Sequence, residues 1–253
     1  MGPFHSVFAR ILRVEHAVIG YSSNFTIYDS SDSTSLIKSI LKDMQLDEKK
    51  QYKPASVLSR ISRAKNQLLL PDQYPASFVH ADQASNMPDV CHIYKEYQAR
   101  LRQANAMDFD DLLLQTWLLF HDHPQVADKY QDNFHYILVD EYQDSNGVQD
   151  AIFDSLTREK KNCFLVGDVK QSIYQFRQAD PGIFLEKYNA YESAKDARPG
   201  HGRRVLLSQN FRSGPEILDA VNYVFRRCMT KDVGGLDYGD QEALWEGVAR
   251  PPP

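Results

Sequence analysis

Apolar residues in the first hundred positions recur mostly at helical spacing. Phe8, Ile11, Leu12 and Ile19 fall roughly on one face, which predicts a helix from Phe4 to Ile19. Phe25-Thr26-Ile27-Tyr28 reads as a short strand closed by Asp29 and a Ser/Asp cluster. Leu36, Ile37, Ile40, Leu41 and Met44 form the next helical stripe. Pro54 opens a further helix lined by Val57, Leu58, Ile61 and Leu68. Residues 71–88 hold Pro71, Pro75 and Pro88 among polar residues and read as a loop, and Val90, Tyr94, Tyr97 and Leu101 mark another helix. Residues 30–105 therefore read as an all-helical, polar block.

The texture changes at Met107. Asp108 is placed to cap a helix whose apolar face is Phe109, Leu112, Leu113, Thr116, Trp117 and Phe120. Tyr136–Val139 is an unbroken apolar run, as expected for a buried strand, and Cys163–Gly167 is a second. Helices are expected near 147–157 and 181–191, with a third strand at Val205-Leu206-Leu207. Ser213-Gly214-Pro215-Glu216 has capping-box spacing. The helix behind it is expected to bury Ile217, Leu218, Val221, Val224, Phe225 and Cys228 and to end on Arg226 and Arg227, as the helix dipole favours. Strand–helix alternation over 134–228 implies a parallel sheet with helical crossovers, an α/β class. There are no internal repeats, and Pro251-Pro252-Pro253 reads as an unstructured end.

Composition narrows the class. The chain has 253 residues, 42% hydrophobic and 25% charged, which suits a soluble globular protein of one or two domains. Its net charge of −5 supplies no bulk positive field for nucleic acid, so such binding must come from local patches. Cys91, Cys163 and Cys228 are few, odd in number and widely spaced, which argues against a disulfide framework or zinc site and fits a reduced cytoplasmic compartment. His121 and His123 flank Asp122 with no further ligand cluster and read as a solvated helix end. No cationic-then-apolar leader opens the chain, and no apolar run approaches the ~18 residues of a membrane span.

Both buried-strand candidates end in acid. Asp140-Glu141-Tyr142-Gln143-Asp144 follows the first, and Asp168 follows the second. Ligands of open α/β sheets bind beyond the carboxyl ends of strands. There one carboxylate can hold Mg²⁺ through water while its neighbour orients or deprotonates an attacking water. A strand followed by an acidic turn accounts for the same residues. Past the second strand lies Gln171-Ser172-Ile173-Tyr174-Gln175-Phe176-Arg177. Two aromatics beside an arginine suit single-stranded nucleic acid, whose bases stack on rings while phosphate meets the cation. Ordinary core packing of Tyr174 and Phe176 is the alternative. Gln209-Asn210-Phe211-Arg212-Ser213 then places an arginine on a loop after a strand, suited to an arginine finger or to a surface salt bridge.

Taken in order, strand-DEYQD, strand-GDVKQSIYQFR and strand-QNFRS resemble motifs II, III and IV of superfamily 1 helicases of the UvrD/Rep/PcrA type. Phe4-His5-Ser6 resembles the tail of that family's T-F-H-S motif, and Met107–Leu113 its M-D-F-D-D-L segment. The resemblance runs from Phe4 to about Met229. It implies an incomplete RecA-like P-loop NTPase core. Residues 1–29 and 106–200 would form the first RecA-like domain, 30–105 a helical insertion within it, and 201–253 the start of the second. It implies ATP and Mg²⁺ as cofactors. Asp140 would hold the metal, Glu141 would activate water, Gln171 would sense the γ-phosphate, Arg212 would act as the finger, and Phe211 would lie against adenine. Tyr174 and Phe176 would stack bases, and Arg177, His5 and Ser6 would contact the strand. The implied activity is ATP-driven 3′-to-5′ translocation on single-stranded DNA with unwinding of duplex, in repair or recombination.

The chain departs from the family pattern in two ways. It contains no G-x-x-x-x-G-K-[S/T], and the family's motifs V and VI are missing, so it reads as an internal fragment. From Val166 onward, VGDVKQSIYQFRQADPGIF resembles AddA, the subunit of a helicase–nuclease, which would bring a nuclease partner. The missing loop also motivates a different class: a non-catalytic remnant that binds single strands or a partner.

Overall fold

A computed structural model describes residues 4–157, 162–173 and 178–247. Tyr174, Phe176 and Arg177 lie outside these residues. The described chain divides into two compact units, Met1–Ile137 with Asn146–Cys163, and Leu138–Ser145 with Phe164–Pro253.

The first unit opens on helix α1 (Phe4–Val14), which buries Phe8, Ile11 and Leu12. It stops short of the expected Ile19. Glu15 is buried and accepts hydrogen bonds from Lys129 Nζ at 2.6 Å and Tyr130 Oη at 3.1 Å, and the chain then turns back through Tyr21 N–His16 O at 2.9 Å. Strand β1 (Thr26–Ile27) leads to α2 (Ser30–Asp43), capped by the reciprocal Asp29–Asp32 box. Helix α3 (Pro54–Lys65) begins at the proline, as expected. The segment read as a loop contains a 3₁₀ turn, Pro71–Gln73, and a helix, α4 (Ala76–Ala84). This helix lacks the apolar stripe that would announce it. Its anchor is a buried carboxylate, Asp82, which accepts from Tyr74 Oη at 2.6 Å and pairs with Arg60.

Helix α5 (Val90–Gln103) precedes strand β2 (Ala106–Met107), which pairs in parallel with β1, Thr26 opposite Ala106. The helical block α2–α5 thus leaves one strand and returns on its neighbour. It has its own core of Ile37, Ile40, Leu41, Tyr52, Ile61 and Tyr97, all essentially inaccessible to solvent. Helix α6 (Phe109–Asp122) starts at Asp108, whose carboxylate accepts from Asp111 N at 2.8 Å. It packs against α1, against α7 (Pro124–Asn133) and against α8 (Gly147–Leu156).

Strands β3 (Ile137–Val139) and β4 (Cys163–Leu165) form a pair. Their hydrogen bonds advance together, Ile137 N–Asn162 O and Val166 N–Val139 O at 2.8 Å each, so they run parallel. Only Val139 is buried. Tyr136, Leu138 and Phe164 are 80%, 72% and 56% exposed, so these strands are not the buried ones expected. Side chains alternate across a strand, and no second layer covers that face among the described residues.

Helix α9 (Pro181–Ala190) and strands β5 (Glu192–Ser193) and β6 (Arg203–Arg204) follow in the second unit, β5 and β6 pairing in parallel. Val205-Leu206-Leu207 is not a strand. All three are exposed, and pairing resumes only at β7 (Gln209–Asn210). Helix α10 (Pro215–Cys228) has its cap one residue past the expected Ser213. Proline at its first position makes Gly214 the cap residue, and Ser213 contributes no capping side chain. Leu218 and Asn222 are its buried residues, whereas Ile217 and Val224 are exposed. A short helix α11 (Lys231–Gly234) follows, and α10 packs against β8 (Trp245–Glu246) and the turn before it, where Asn222 accepts from Tyr238 Oη at 2.7 Å and Leu244 N at 3.0 Å. Strand β8 pairs in parallel with β7. The expected continuous parallel sheet is, among the described residues, a set of two-stranded pairs.

Candidate functional site

Strand β3 ends on Val139, and the next two side chains, Asp140 and Glu141, turn out to solvent. Glu141 has φ 52° and ψ 39°, the left-handed region that non-glycine residues seldom adopt. The reversal is held by local bonds: Glu141 N donates to Asp140 Oδ1 and Asp144 N to Glu141 O, both at 2.9 Å. Its result is that Tyr142 and Gln143, in the following 3₁₀ turn Tyr142–Asp144, point inward and are buried. Burial, followed by the nearby Glu141 charge, raises the Asp144 carboxyl above its ordinary value.

The end of β4 is tied to this turn. Tyr142 N donates to Val166 O at 2.8 Å, and Asp168 N donates to the side-chain oxygen Gln143 Oε1 at 3.0 Å. A second 3₁₀ turn, Val169–Gln171, is capped by Asp168, whose Oδ1 accepts from Lys170 N at 3.1 Å. Gln171 Nε2 donates to Asp168 Oδ2 at 3.0 Å, and Lys170 Nζ pairs with Asp168 Oδ1 at 2.8 Å. Asp140, Glu141 and Gln171 therefore stand at the carboxyl ends of two adjacent parallel strands, where sheet ligands bind. The apolar runs that end in polar residues point to all three, whereas Gln143 lies inside the run Asp140–Asp144 and carries no such mark. The signal lay in Gly167: a Cβ there would meet Gln143 Oε1 at 2.7 Å and Phe184 at 2.9 Å.

Phe211 and Arg212 are on a different pair. Both are exposed just past β7, and Asn210 Oδ1 accepts from Arg212 N and Ser213 N at 2.9 and 2.8 Å. The Phe211 ring lies against Gly247, beside β8. His5 and Ser6 occupy the first turn of α1 in the first unit. Ser6 is exposed, and the His5 ring meets the Phe109 ring edge-on at 5.6 Å between centroids. Burial lowers the His5 pKa against the opposing pull of Asp110. Tyr174, Phe176 and Arg177 fall outside the described residues.

Two exposed carboxylates and a side-chain amide suit a magnesium nucleotide. Mg²⁺ takes hard oxygen ligands and uses one or two carboxylates beside substrate phosphates, keeping waters for the rest. Among the described residues no group of three or more His, Cys, Asp or Glu could hold a metal ion. No described helix is long and apolar enough to cross a membrane.

Residues 1–192 match the family model for the UvrD/REP helicase N-terminal domain. The chain is 40% identical over 221 residues to the ATP-dependent DNA helicase PcrA of Leuconostoc citreum, covering 87% of this chain and 28% of that protein. It is 40% identical over 224 residues to PcrA of Bacillus subtilis strain 168, covering 88% and 28%. With PcrA of Staphylococcus epidermidis RP62A it shares 38% identity over 238 residues, covering 93% and 31%. The chain thus spans about three tenths of the length of the curated relatives it matches. A family model covering well over half the chain and these similarities agree: the chain belongs to the UvrD/PcrA-type DNA helicase family.

Proposed function

We propose that this chain is part of an ATP-dependent DNA helicase that moves 3′ to 5′ along single-stranded DNA, with hydrolysis stimulated by that strand. The observation that carries the reading is the grip of Gln143 on Asp168, which keeps the Asp140–Glu141 turn beside the Asp168–Gln171 turn. Asp140 would hold the Mg²⁺ of a magnesium nucleotide, and the ion would supply charge neutralisation to the transferred phosphate. Glu141 accepts the proton of a water whose oxygen attacks the γ-phosphorus. The bond to the β–γ bridging oxygen breaks, and ADP leaves with that electron pair. Gln171 hydrogen-bonds the γ-phosphate, Arg212 offsets charge on the transferred group, and Phe211 packs against adenine. Tyr174 and Phe176 stack bases, while Arg177, His5 and Ser6 contact the strand. The return of the α2–α5 block to the neighbouring strand supports reading 30–105 as an insertion in a RecA-like domain formed by 1–29 and 106–200, with 201–253 beginning a second. Repair or recombination is the process such an activity serves.

The test is steady-state ATP hydrolysis with single-stranded DNA in a full-length helicase carrying this segment. Glu141→Gln is expected to lower turnover by about a thousandfold while nucleotide affinity stays within about twofold, because the role is chemical. Retained turnover would remove Glu141 from the mechanism.

A further inference from the structure

We propose that Gln143 is a positioning residue for nucleotide hydrolysis, holding the turn that carries Gln171 in place beside Glu141. The inference rests on the hydrolytic reading above and adds a residue to it. Gln143 is 5% exposed although it sits in a run of acidic and polar residues. A buried side-chain amide is kept only where its hydrogen bonds are met. Its Oε1 accepts from the backbone Asp168 N–H at 3.0 Å, its backbone carbonyl accepts from Ser172 Oγ at 3.4 Å, and its Nε2 reaches Asp144 Oδ2 at 3.5 Å. The first two bonds lie on either side of Gln171, at residues 168 and 172. Gln171 N itself donates to Asp168 O at 2.8 Å, and its side-chain amide donates to Asp168 Oδ2. Asp168 is therefore the pivot on which Gln171 is hung, and the contact fixing that pivot's backbone from the acidic turn is the Gln143 amide.

Gly167 is the second half of the device. Its missing Cβ leaves the space that Gln143 Oε1 occupies, so alanine there would force the amide from the Asp168 N–H without changing Gln143 itself, while also pressing on the Phe184 ring at 2.9 Å. Two variants of different chemistry thus attack one bond. Gln143→Met keeps length and volume but removes the acceptor, and Gly167→Ala keeps the acceptor but displaces it.

The experiment has two arms. In this chain, backbone amide exchange is followed by NMR. Both variants are expected to speed exchange at Asp168 about tenfold or more, while the Val166 N–H, bonded to Val139 O, stays protected. Equal acceleration at both amides would mean general loosening and would overturn the proposal, as would unchanged exchange at Asp168. In a full-length helicase carrying this segment, Gln143→Met and Gly167→Ala are expected to lower kcat at least tenfold with KM for ATP within about twofold, since positioning acts in the transition state. Glu141→Gln and Gln171→Ala are measured alongside. If these two abolish turnover while the Gln143 and Gly167 variants do not, the positioning role is wrong and the hydrolytic site stands. If all four leave turnover intact, the hydrolytic reading itself has failed.

Discussion

Glu141 spends backbone energy to stand where it does. A non-glycine residue in the left-handed region costs of order 1–3 kcal/mol and persists only when its surroundings over-determine it. Here they do: Asp140 Oδ1 receives its N–H, its carbonyl receives Asp144 N, and the next residue is bonded to Val166, just past β4. The reversal lets four consecutive residues serve two environments, with Asp140 and Glu141 outward and Tyr142 and Gln143 in the core. Arg212 is presented by a similar device, since Asn210 Oδ1 takes the N–H groups of residues 212 and 213 and turns the chain outward. In a full-length helicase carrying this segment, Arg212→Ala is expected to slow single-strand-stimulated turnover by roughly 10³-fold or more, the scale of a true arginine finger. A loss of tenfold or less, read by the same assay, would leave Arg212 as a surface ion-pairing residue.

At the scale of elements, the helical block is fastened to the rest of its unit by a buried charge cluster. Lys65, at the end of α3, is inaccessible to solvent and pairs with Asp108 Oδ2 at 2.7 Å and Asp111 Oδ1 at 2.8 Å at the start of α6. Tyr97 Oη of α5 donates to Asp108 at 2.9 Å, and Gln98 Nε2 to Asp111 at 2.9 Å. Next to it, Asn66 Oδ1 accepts from Asn146, the cap of α8, at 2.6 Å. Burial and then the adjacent Asp108 push the Asp111 carboxyl up to about 6. At Asp108 burial is the largest single influence, but Lys65 and the hydrogen bonds from Asp111 N and Tyr97 together outweigh it and hold that carboxyl low. Lys65→Met leaves two buried carboxylates without their cation, at a cost of about 3–5 kcal/mol near neutral pH. In the variant both carboxyls have folded values above their unfolded ones. Stability linked to them is therefore present below about pH 4 and lost as pH rises through the folded values. Urea unfolding at pH 4.5 and pH 7.5 should show the deficit growing with pH, and an equal deficit at both would assign it to packing alone. This cluster also marks where sequence legibility ended. Asp108 was readable as a cap because capping is local, and the amphipathic helices were readable because periodicity is local. The pairing of Lys65 with Asp108 spans 43 residues, and α4 stands on Asp82 and not on an apolar stripe. The 205–207 run failed as a strand because a strand needs a neighbour, which hydrophobicity alone does not supply. Likewise Asp140, Glu141 and Gln171 were legible from their places after apolar runs, but Gln143 became visible only once two strand ends were side by side.

For the whole molecule, the decisive fact is a mismatch between what the strand ends offer and what phosphoryl transfer needs. Catalysis of that step is almost entirely positioning and electrostatic stabilisation, so the groups that cradle the phosphates matter as much as the base. The 253 residues contain Asp140 and Glu141 but no glycine-rich loop followed by lysine and a hydroxyl residue to wrap the β- and γ-phosphates. Lys170, next to Gln171 in the chain, is already engaged with Asp168 at 2.8 Å. The net charge of −5 adds no general attraction for a polyanionic nucleotide or for DNA. The chain by itself is therefore expected to hydrolyse ATP no faster than background, with or without single-stranded DNA, and Glu141→Gln should change nothing measurable in that setting. The same substitution in a full-length helicase that supplies the loop should be severe. Steady-state phosphate release from the purified chain, with added oligothymidine, is the measurement. Turnover at helicase rates that Glu141→Gln abolishes would show that the described residues position the phosphates unaided, and that the glycine-rich loop is dispensable to this site.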